Sequence, residues 1–125
     1  MKALKIKQLA EKDEEIADIL ISLGMSRNMA MSLTYLQNMN SATSVDLERV
    51  ARLRQPEVSI AIRQLKERNW IDEREEKNKI GKGRPTKVYS LKVGFKDIIS
   101  QLEKQQKKVI DEAKANVGRL KELGK

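Results

Sequence analysis

Apolar residues recur three and four positions apart through the first half of the chain, which predicts a series of amphipathic helices. The first is expected to start at Asp13, after a loose or partly helical lead-in, and to stop at Gly24. Its acids at positions 13–15 fall in the first turn, where the helix dipole favours negative charge. The stripe that faces the core is formed by Ile16, Ile19, Leu20 and Leu23.

Two further helices are predicted before position 54. The second follows Ser26, whose hydroxyl suits an N-cap, and the polar cluster at 38–43 breaks it. The third starts at the N-cap Ser44, has Glu48 near the capping-box position, and ends near Leu53. The inward sides of these two helices are formed by Met29, Leu33, Tyr35 and Leu36, and by Leu47, Val50 and Ala51.

The fourth helix is predicted over residues 55–70, which read QPEVSIAIRQLKERNW. Val58, Ile62 and Leu65 follow helical spacing, and Pro56 suits a first turn, where its missing N–H costs nothing. Only Arg54 and its neighbours separate this helix from the third, which is the arrangement of a helix-turn-helix. The fourth helix is therefore interpreted as a recognition helix, and an ordinary amphipathic helix is the alternative.

Alternation replaces the helical pattern after Asn69, which can end a helix in the left-handed conformation. Residues 70–74 and 87–91 predict two short strands. The segment between them, residues 75–86, reads EEKNKIGKGRPT and forms the tip of a hairpin, the predicted wing. Trp70 and Tyr89 are expected to brace this hairpin as core aromatics, and a flexible basic loop is the alternative to a wing.

From Gly94 onward the chain is one long helical pattern whose seam residues alternate by four and three, as in a coiled coil. A helix of roughly 30 residues reaches about 45 Å, which is too long for so small a body. We expect a second copy to cover it, and a solvated tail packed only over 95–102 is the alternative. The seam comprises Phe95, Ile99, Leu102, Gln106, Val109, Ala113, Asn116, Leu120 and Leu123.

These elements predict a mainly α-helical protein with a small β-hairpin. A winged helix-turn-helix is expected over residues 1–92, and a long C-terminal dimerisation helix over residues 93–125. The chain of 125 residues contains 39% hydrophobic residues, enough for a modest core. It contains no apolar run of about 18 residues and no visible secretory signal, so we expect a cytoplasmic protein without a membrane partner.

The composition argues against an enzyme. The chain contains neither Cys nor His, which removes disulfides, thiol catalysis, the commonest metal ligand and the commonest general base. No nucleophile–base pair, phosphate-binding loop or metal-ligand spacing is recognisable in the sequence. We therefore expect no catalytic residue, no metal and no cofactor.

Positive charge is concentrated in the middle of the chain. The formal net charge is +8. Residues 1–44 carry five basic and five acidic groups, whereas residues 45–92 carry thirteen basic and eight acidic groups. Residues 77–92 hold six basic groups and no acid. A local excess of this kind favours a polyanionic partner, and phosphate contact is the interpretation we prefer for the wing.

The ordered set of motifs resembles a known family. LGMSRNMAMSLTYL is followed by SATSVDLERVARLRQPEVSIAIRQLKERNWIDERE and then by GKGRPTKVYSL. Over residues 16–99 this order is similar to the DNA-binding domain of the TrmB-like winged helix regulators, mostly archaeal and close to the MarR and ArsR groups. The family's usual Gly after the recognition helix is Asn69 here. Sugar sensing, which larger members place in a C-terminal ligand domain, is not expected.

The winged-helix interpretation assigns DNA contacts to three segments. Gln and Arg side chains can contact adenine and guanine in bidentate fashion, Glu57 can accept from cytosine or orient an Arg, and Ile60 can touch a thymine methyl. Ser44 offers a helix N-terminus to a phosphate, and basic wing residues can enter a minor groove or clamp phosphates. The predicted contacts are Ser44, Arg54, Gln55, Glu57, Ser59, Ile60, Arg63, Gln64, Lys82, Arg84 and Lys87.

The predicted function is a homodimeric, sequence-specific DNA-binding transcription regulator. Double-stranded DNA and a second copy of the chain are the expected partners, and no effector is assigned. Repression, by blocking polymerase or basal factors at a promoter, is the simplest mode of action. The alternative is a protein-interaction adaptor in which the winged helix is a scaffold and the long helix recruits a partner.

Overall fold

A computed structural model describes residues 2–76 and 85–124, with side chains described from residue 11 onward. The described chain is mainly helical and carries a small antiparallel sheet, as predicted. Residues 1–93 form one compact unit and residues 94–125 form another. The elements are α1 (Lys2–Ser22), α2 (Arg27–Asn38), β1 (Ala42–Thr43), α3 (Ser44–Ala51), α4 (Gln55–Glu67), β2 (Ile71–Glu76), β3 (Thr86–Leu91) and α5 (Phe95–Leu123).

The core of the first unit is built by α2, α3 and α4. Leu33, Leu36, Leu47 and Leu65 have no exposed surface, and Val58 retains only 1%. These side chains recur at helical spacing, so each helix turns one apolar side inward. Full burial of a Leu or Val side chain contributes about 1.5–3 kcal/mol. The predicted inward sides of the second, third and fourth helices are confirmed at these positions.

Helix α1 differs from its prediction because it starts at Lys2 rather than at Asp13. Asp13 therefore lies in the middle of the helix, 95% buried, and accepts a hydrogen bond from the Asn38 amide of α2. The predicted dipole role of this acid is wrong. The predicted stripe is also partly wrong, because Ile19 is 52% exposed and Leu23 is exposed as well. Apolar periodicity alone missed the buried side because Asp13, a polar residue, belongs to it.

The start of α3 is capped one residue earlier than predicted. Thr43, not Ser44, is the N-cap: its hydroxyl accepts from the backbone N–H of Asp46 at 3.1 Å, and its own N–H donates to the Asp46 carboxylate at 3.0 Å. This is a capping box whose acid is Asp46 rather than Glu48. Ser44 becomes the first helical residue, with its side chain turned to the surface described below.

The sheet contains three antiparallel strands in the order β1-β3-β2. The hairpin of β2 and β3 pairs Glu73 with Tyr89, and β1 pairs Thr43 with Val88. Strand β1 was not predicted, because two residues are too few to show alternation. Trp70, just before β2, is buried, and its backbone oxygen accepts from Lys92 N at 2.7 Å. The predicted bracing role of Trp70 and Tyr89 is consistent with their burial.

The second unit consists of α5, a 29-residue helix that follows the predicted length of the long C-terminal helix. At 1.5 Å per residue it extends about 44 Å. Of the predicted seam residues, Leu102 is buried, whereas Ile99, Val109, Leu120 and Leu123 are exposed by 47% to 69%. Exposed Ile110 and Val117 lie on the same side of the helix. No helix in the described part of the chain is long and apolar enough to cross a lipid bilayer.

Candidate nucleic-acid interface

The outer side of α4 carries a line of exposed side chains at four-residue spacing. Gln55, Ser59 and Arg63 follow one another along this line, and Ile60 beside them is 42% exposed. The opposite side of the helix, which includes Ala61, is buried in the core. Because the apolar side anchors the helix, its rotation is fixed and the line faces outward. The predicted division of α4 into an inner and an outer side is thus present.

The turn before α4 forms without the glycine that often occupies such turns. Arg52 adopts the left-handed conformation, with φ 54° and ψ 45°, and ends α3. The following residue, Leu53, is buried, and its N–H donates to Glu48 O at 3.1 Å. A non-glycine residue in this conformation costs about 1–2 kcal/mol, which burial of Leu53 helps to offset.

Two of the predicted contacts on α4 have side-chain partners within the protein. The carboxylate of Glu57 accepts the backbone N–H of Arg54 at 2.8 Å and thereby caps the first turn of α4. Arg54 itself is exposed at that helix end. The Gln64 side chain accepts a hydrogen bond from the Ser26 hydroxyl at 3.2 Å, which joins α4 to the N-cap of α2. These contacts hold α4 in place within the helix-turn-helix.

A small cleft lies between the start of α3, the outer side of α4 and the hairpin, with a volume of about 250 Å³. Four of the predicted contacts line it: Ser44, Ser59, Arg63 and Lys87. We call this cleft, together with Ile62, Lys66, Glu73 and Tyr89 that complete its lining, the cationic cleft. Its three basic side chains outnumber its single carboxylate, so the site carries an excess of positive charge.

Glu73 is the acid of the cationic cleft and contacts two of its lysines. Its carboxylate forms an ion pair with Lys66 Nζ and lies 4.0 Å from Lys87 Nζ. The hydrogen bond from Lys66, aided by the nearby lysine charges and by a hydrogen bond from Tyr89, lowers the pKa of Glu73 below its ordinary value of 4.5. The Lys66 ammonium also lies 5.9 Å from the centre of the Tyr89 ring. Glu73 therefore stays ionised and holds both lysines at the hairpin base.

Lys66 and Glu73 were not among the predicted contacts. Lys66 follows Arg63 by three positions, and this spacing could have placed it on the same side of α4. No sequence signal marks Glu73, because alternating charged residues are ordinary in an exposed strand. Lys82 and Arg84, the predicted wing contacts, lie outside the described residues. Among those that are described, no group of three carboxylates is placed to hold a metal ion.

No model of a known protein family matches the chain, and no curated protein matches it. Solved structures do resemble it. TrmBL2, an archaeal chromatin protein whose structure shows a novel mode of DNA binding, is 17% identical with a TM-score of 0.63. That match covers 89% of this chain but only 41% of TrmBL2, so the chain spans less than half of that protein's length.

Two further structures have the same architecture. A possible transcriptional regulator from Methanosarcina mazei Go1 is 12% identical to this chain, with a TM-score of 0.57. The match covers 80% of this chain and 83% of that regulator. The oxidized form of MarR from E. coli is 17% identical to this chain, with a TM-score of 0.50. That match covers 82% of this chain and 71% of MarR. At these identities the similarity establishes the fold. The chain therefore has the winged helix-turn-helix fold that its sequence motifs predicted.

Proposed function

We propose that the protein is a sequence-specific DNA-binding transcription regulator that acts as a homodimer. The observation that carries this proposal is the continuous surface formed by the outer side of α4 and the cationic cleft. The first part presents side chains that can read bases, and the second presents positive charge and hydroxyls suited to a phosphate. The buried side of α4 anchors the base-reading side chains, and Ser59 and Arg63 belong to both parts of the surface.

The two parts of this surface are proposed to contact different parts of DNA, the bases and the phosphates. We propose that α4 enters the major groove, where Gln55, Ser59 and Arg63 face base edges and Ile60 can meet a thymine methyl. Lys66 and Lys87, beside the N-terminus of α3, are the proposed phosphate contacts. The wing residues Lys82 and Arg84, which the structure does not describe, are proposed to contact an adjacent phosphate or a minor groove.

The similarity to TrmBL2 supports DNA as the partner, because the solved structure of that protein shows DNA binding. The partial coverage of TrmBL2 means that the support extends to the shared fold and not to the rest of that protein. For this chain, the base-reading role rests on the exposed side of α4, and the phosphate role on the cationic cleft. Repression by blocking a promoter is the mode of action we propose for the bound dimer.

The proposal is tested first by selecting bound sequences from a random duplex pool with the full chain. We expect enrichment of a two-fold symmetric site whose half-sites lie about one helical turn apart, because two recognition helices related by a dimer axis read it. If no sequence is enriched and the protein retains no duplex from the pool even at low salt, DNA binding is excluded. That result would favour the protein-interaction adaptor.

A salt titration on the selected duplex separates phosphate contacts from base contacts. We expect log K to fall linearly with log salt concentration, with a slope of about −0.9 for each phosphate neutralised. Replacing Lys82 and Arg84 by Ala should reduce the slope by about two units, and Lys12→Ala, an exposed change in α1, should leave it unchanged. If the double variant keeps the wild-type slope, the wing does not contact phosphates.

Arg63→Ala tests the base-reading assignment on the same duplex and on single-base variants of it. Loss of a bidentate contact should cost about 1–3 kcal/mol at one base pair and relax the preference at that position. Equal weakening on every duplex would instead make Arg63 a phosphate contact. Both outcomes can be read from one competition experiment at constant salt.

A further inference from the structure

A second cavity lies in the first unit, outside the proposed DNA surface, with a volume of about 570 Å³. Cavities of about 300–1,000 Å³ are typical of small-molecule sites. It is bounded by α1, α2 and the end of α3, none of which contributes the base-reading side chains. The proposed function therefore leaves this cavity without a role.

The charges around this cavity come from different helices. Helix α1 contributes three carboxylates, whereas α2 and α3 contribute three guanidiniums. In the order of the chain these residues are Asp13, Glu14, Asp18, Arg27, Arg49 and Arg52. The formal charges of these six side chains cancel. The site as a whole therefore favours a ligand with no net charge that carries both signs.

The opposite charges do not neutralise one another directly. Among the side chains described from residue 11 onward, no carboxylate of this group lies within 4.0 Å of one of its guanidiniums. Asp13 is fixed in its buried position by the Asn38 amide, which in turn accepts from Gln37 at 2.9 Å. A buried carboxylate is costly unless it is hydrogen-bonded or paired with a cation. Asp13 has the hydrogen bond but, among the described side chains, no cation partner within 4.0 Å, so a cationic group in the cavity would add a charge pair to it.

The remaining lining is apolar or aromatic. Ile21, Met31 and Val50 contribute aliphatic surface, and Tyr35 contributes its ring and hydroxyl. Burial, together with the negative charges of Asp13 and Glu14, raises the pKa of Tyr35, so its hydroxyl stays protonated and available as a donor. The cavity thus offers acids, guanidiniums and a hydrophobic surface around one space.

We propose that this cavity binds a small zwitterion, an α-amino acid with an apolar side chain. Its ammonium group lies among the carboxylates of α1, with Asp13 and Asp18 as contacts, and its carboxylate is held by Arg49 and Arg52. Guanidinium groups suit this role because they bind carboxylates in bidentate fashion. The apolar side chain packs against Ile21.

The position of Arg52 connects this site to the recognition helix. Arg52 ends α3 in the left-handed conformation, and Arg54, two residues later, is the N-cap of α4. A ligand carboxylate that engages Arg52 therefore acts on the turn that sets the start of α4. We infer that the amino acid alters DNA affinity. This regulatory part rests on the proposed DNA-binding function, whereas the binding site does not.

Ligand binding is tested without DNA, by thermal unfolding of the full chain with each of the common L-amino acids. We expect at least one apolar amino acid, such as L-leucine or L-phenylalanine, to raise Tm by about 3 °C or more when it saturates the site. The corresponding amide, which lacks the carboxylate, and the N-acetyl derivative, which lacks the ammonium, should have no effect. No shift with any amino acid, or equal shifts with these derivatives, would overturn the proposal.

Variants locate the site by isothermal titration with the amino acid that gives the shift. Arg49→Gln with Arg52→Gln should weaken binding at least about tenfold, because two charge-assisted hydrogen-bond partners are lost. Asp18→Asn should weaken it as well, and Lys107→Gln, an exposed change in α5, should not. Unligated Tm values establish that the variants fold. Wild-type affinity in both cavity variants would place the ligand elsewhere.

The regulatory part is tested by titrating labelled duplex with and without the amino acid. We expect the affinity for DNA to change at least about fivefold in the wild type and not in the Arg49/Arg52 variant. An unchanged DNA affinity with demonstrated ligand binding would overturn the regulation and leave the site intact. Failure of the protein to bind any duplex would instead contradict the proposed function, and the calorimetric result would stand independently.

Discussion

Glu73 is the residue whose charge most directly opposes the proposed phosphate contacts. It pairs with Lys66 and lies near Lys87, and both lysines face the cationic cleft. A phosphate that enters must compete with this carboxylate for the same ammonium groups. In the proposed DNA complex the acid lowers the affinity for DNA while keeping the lysines in position, and the balance between these two effects decides the result of removing it.

We predict that Glu73→Gln strengthens DNA binding by about three- to tenfold at low salt and makes the salt dependence steeper by about one unit. The substitution makes Lys66 and Lys87 available to phosphates. This gain is larger than the loss of an exposed ion pair, which is worth at most about 1 kcal/mol. The measurement is a fluorescence anisotropy titration at several salt concentrations.

Glu76→Gln is the matched control, because Glu76 lies on the same strand and pairs with Arg74 outside the cleft. It should change the affinity less than Glu73→Gln. Weaker binding by Glu73→Gln than by the wild type would show that positioning of the lysines, rather than repulsion, is the main effect of Glu73.

Asn69 lies two residues after the end of α4. Its φ is 64°, a left-handed conformation that favours glycine. We predict that Asn69→Ala lowers the free energy of unfolding by about 1 kcal/mol, whereas Asn69→Gly lowers it much less, although Gly loses the 3.1 Å hydrogen bond from Lys92 Nζ. Urea denaturation followed by Trp70 fluorescence measures both. Equal stability of the Ala and Gly variants would show that the backbone at this position relaxes.

At the residue scale, the sequence predicted the outer side of α4 because helical spacing fixes which residues share a side. It also predicted that Asn69 could replace the usual glycine. It missed Glu73 because the approach of a strand residue to Lys66 depends on how the hairpin packs on α4. Such a contact has no periodicity that a sequence pattern can show.

Helix α3 is the shortest of the described helices, and both hydrogen bonds of a capping box are present at its N-terminus. Its eight residues allow few intrahelical hydrogen bonds, so the two bonds of the Thr43–Asp46 capping box form a large share of its stabilisation. The hydroxyl of Ser44 has no part in that box. The two neighbouring hydroxyl residues are therefore expected to have unequal effects.

We predict that Thr43→Ala lowers the free energy of unfolding by about 1 kcal/mol, within the range of measured N-cap losses, and that Ser44→Ala changes it by less than about 0.5 kcal/mol. Ser44→Ala should instead weaken DNA binding if its hydroxyl contacts a phosphate. Chemical denaturation and anisotropy on both variants separate stability from binding. A larger stability loss for Ser44→Ala would contradict the observed cap.

At the element scale, the helix order, the tight turn and the hairpin were predictable because each has a local signature. The first helix was misjudged because its buried side includes Asp13, which only its contact with Asn38 explains. Strand β1 was not predictable because its two residues form a strand only through pairing with β3. Elements that exist through a distant partner have no local pattern.

For the whole molecule, the exposed apolar side of α5 carries the proposed dimer. We predict that Val109→Glu with Leu120→Glu yields a monomer by sedimentation, because both side chains are exposed in the single chain and a dimer would bury them. The monomer should bind a symmetric duplex at least about 100-fold more weakly, since it loses one of two half-sites.

Ala115→Glu with Lys104→Gln is the matched control for this prediction. It makes the same change in net charge on the opposite side of α5, by helical spacing, and should leave the dimer intact. Persistent dimers of the Val109/Leu120 variant would place the interface elsewhere. Dissociation of the control would show that net charge, rather than the apolar side, governs assembly.

Thr43 belongs to two structures at once, since it pairs with Val88 of the hairpin and also caps α3. A force that lifts the hairpin away from the body, such as bending of bound DNA against it, is therefore transmitted to the first turn of α3. The hairpin and α3 are thus joined through this residue, in addition to the ion pair between Lys66 of α4 and Glu73 of the hairpin. Loosening of the β1–β3 pairing would therefore also loosen the N-terminal cap of α3, where the proposed phosphate contact Ser44 lies.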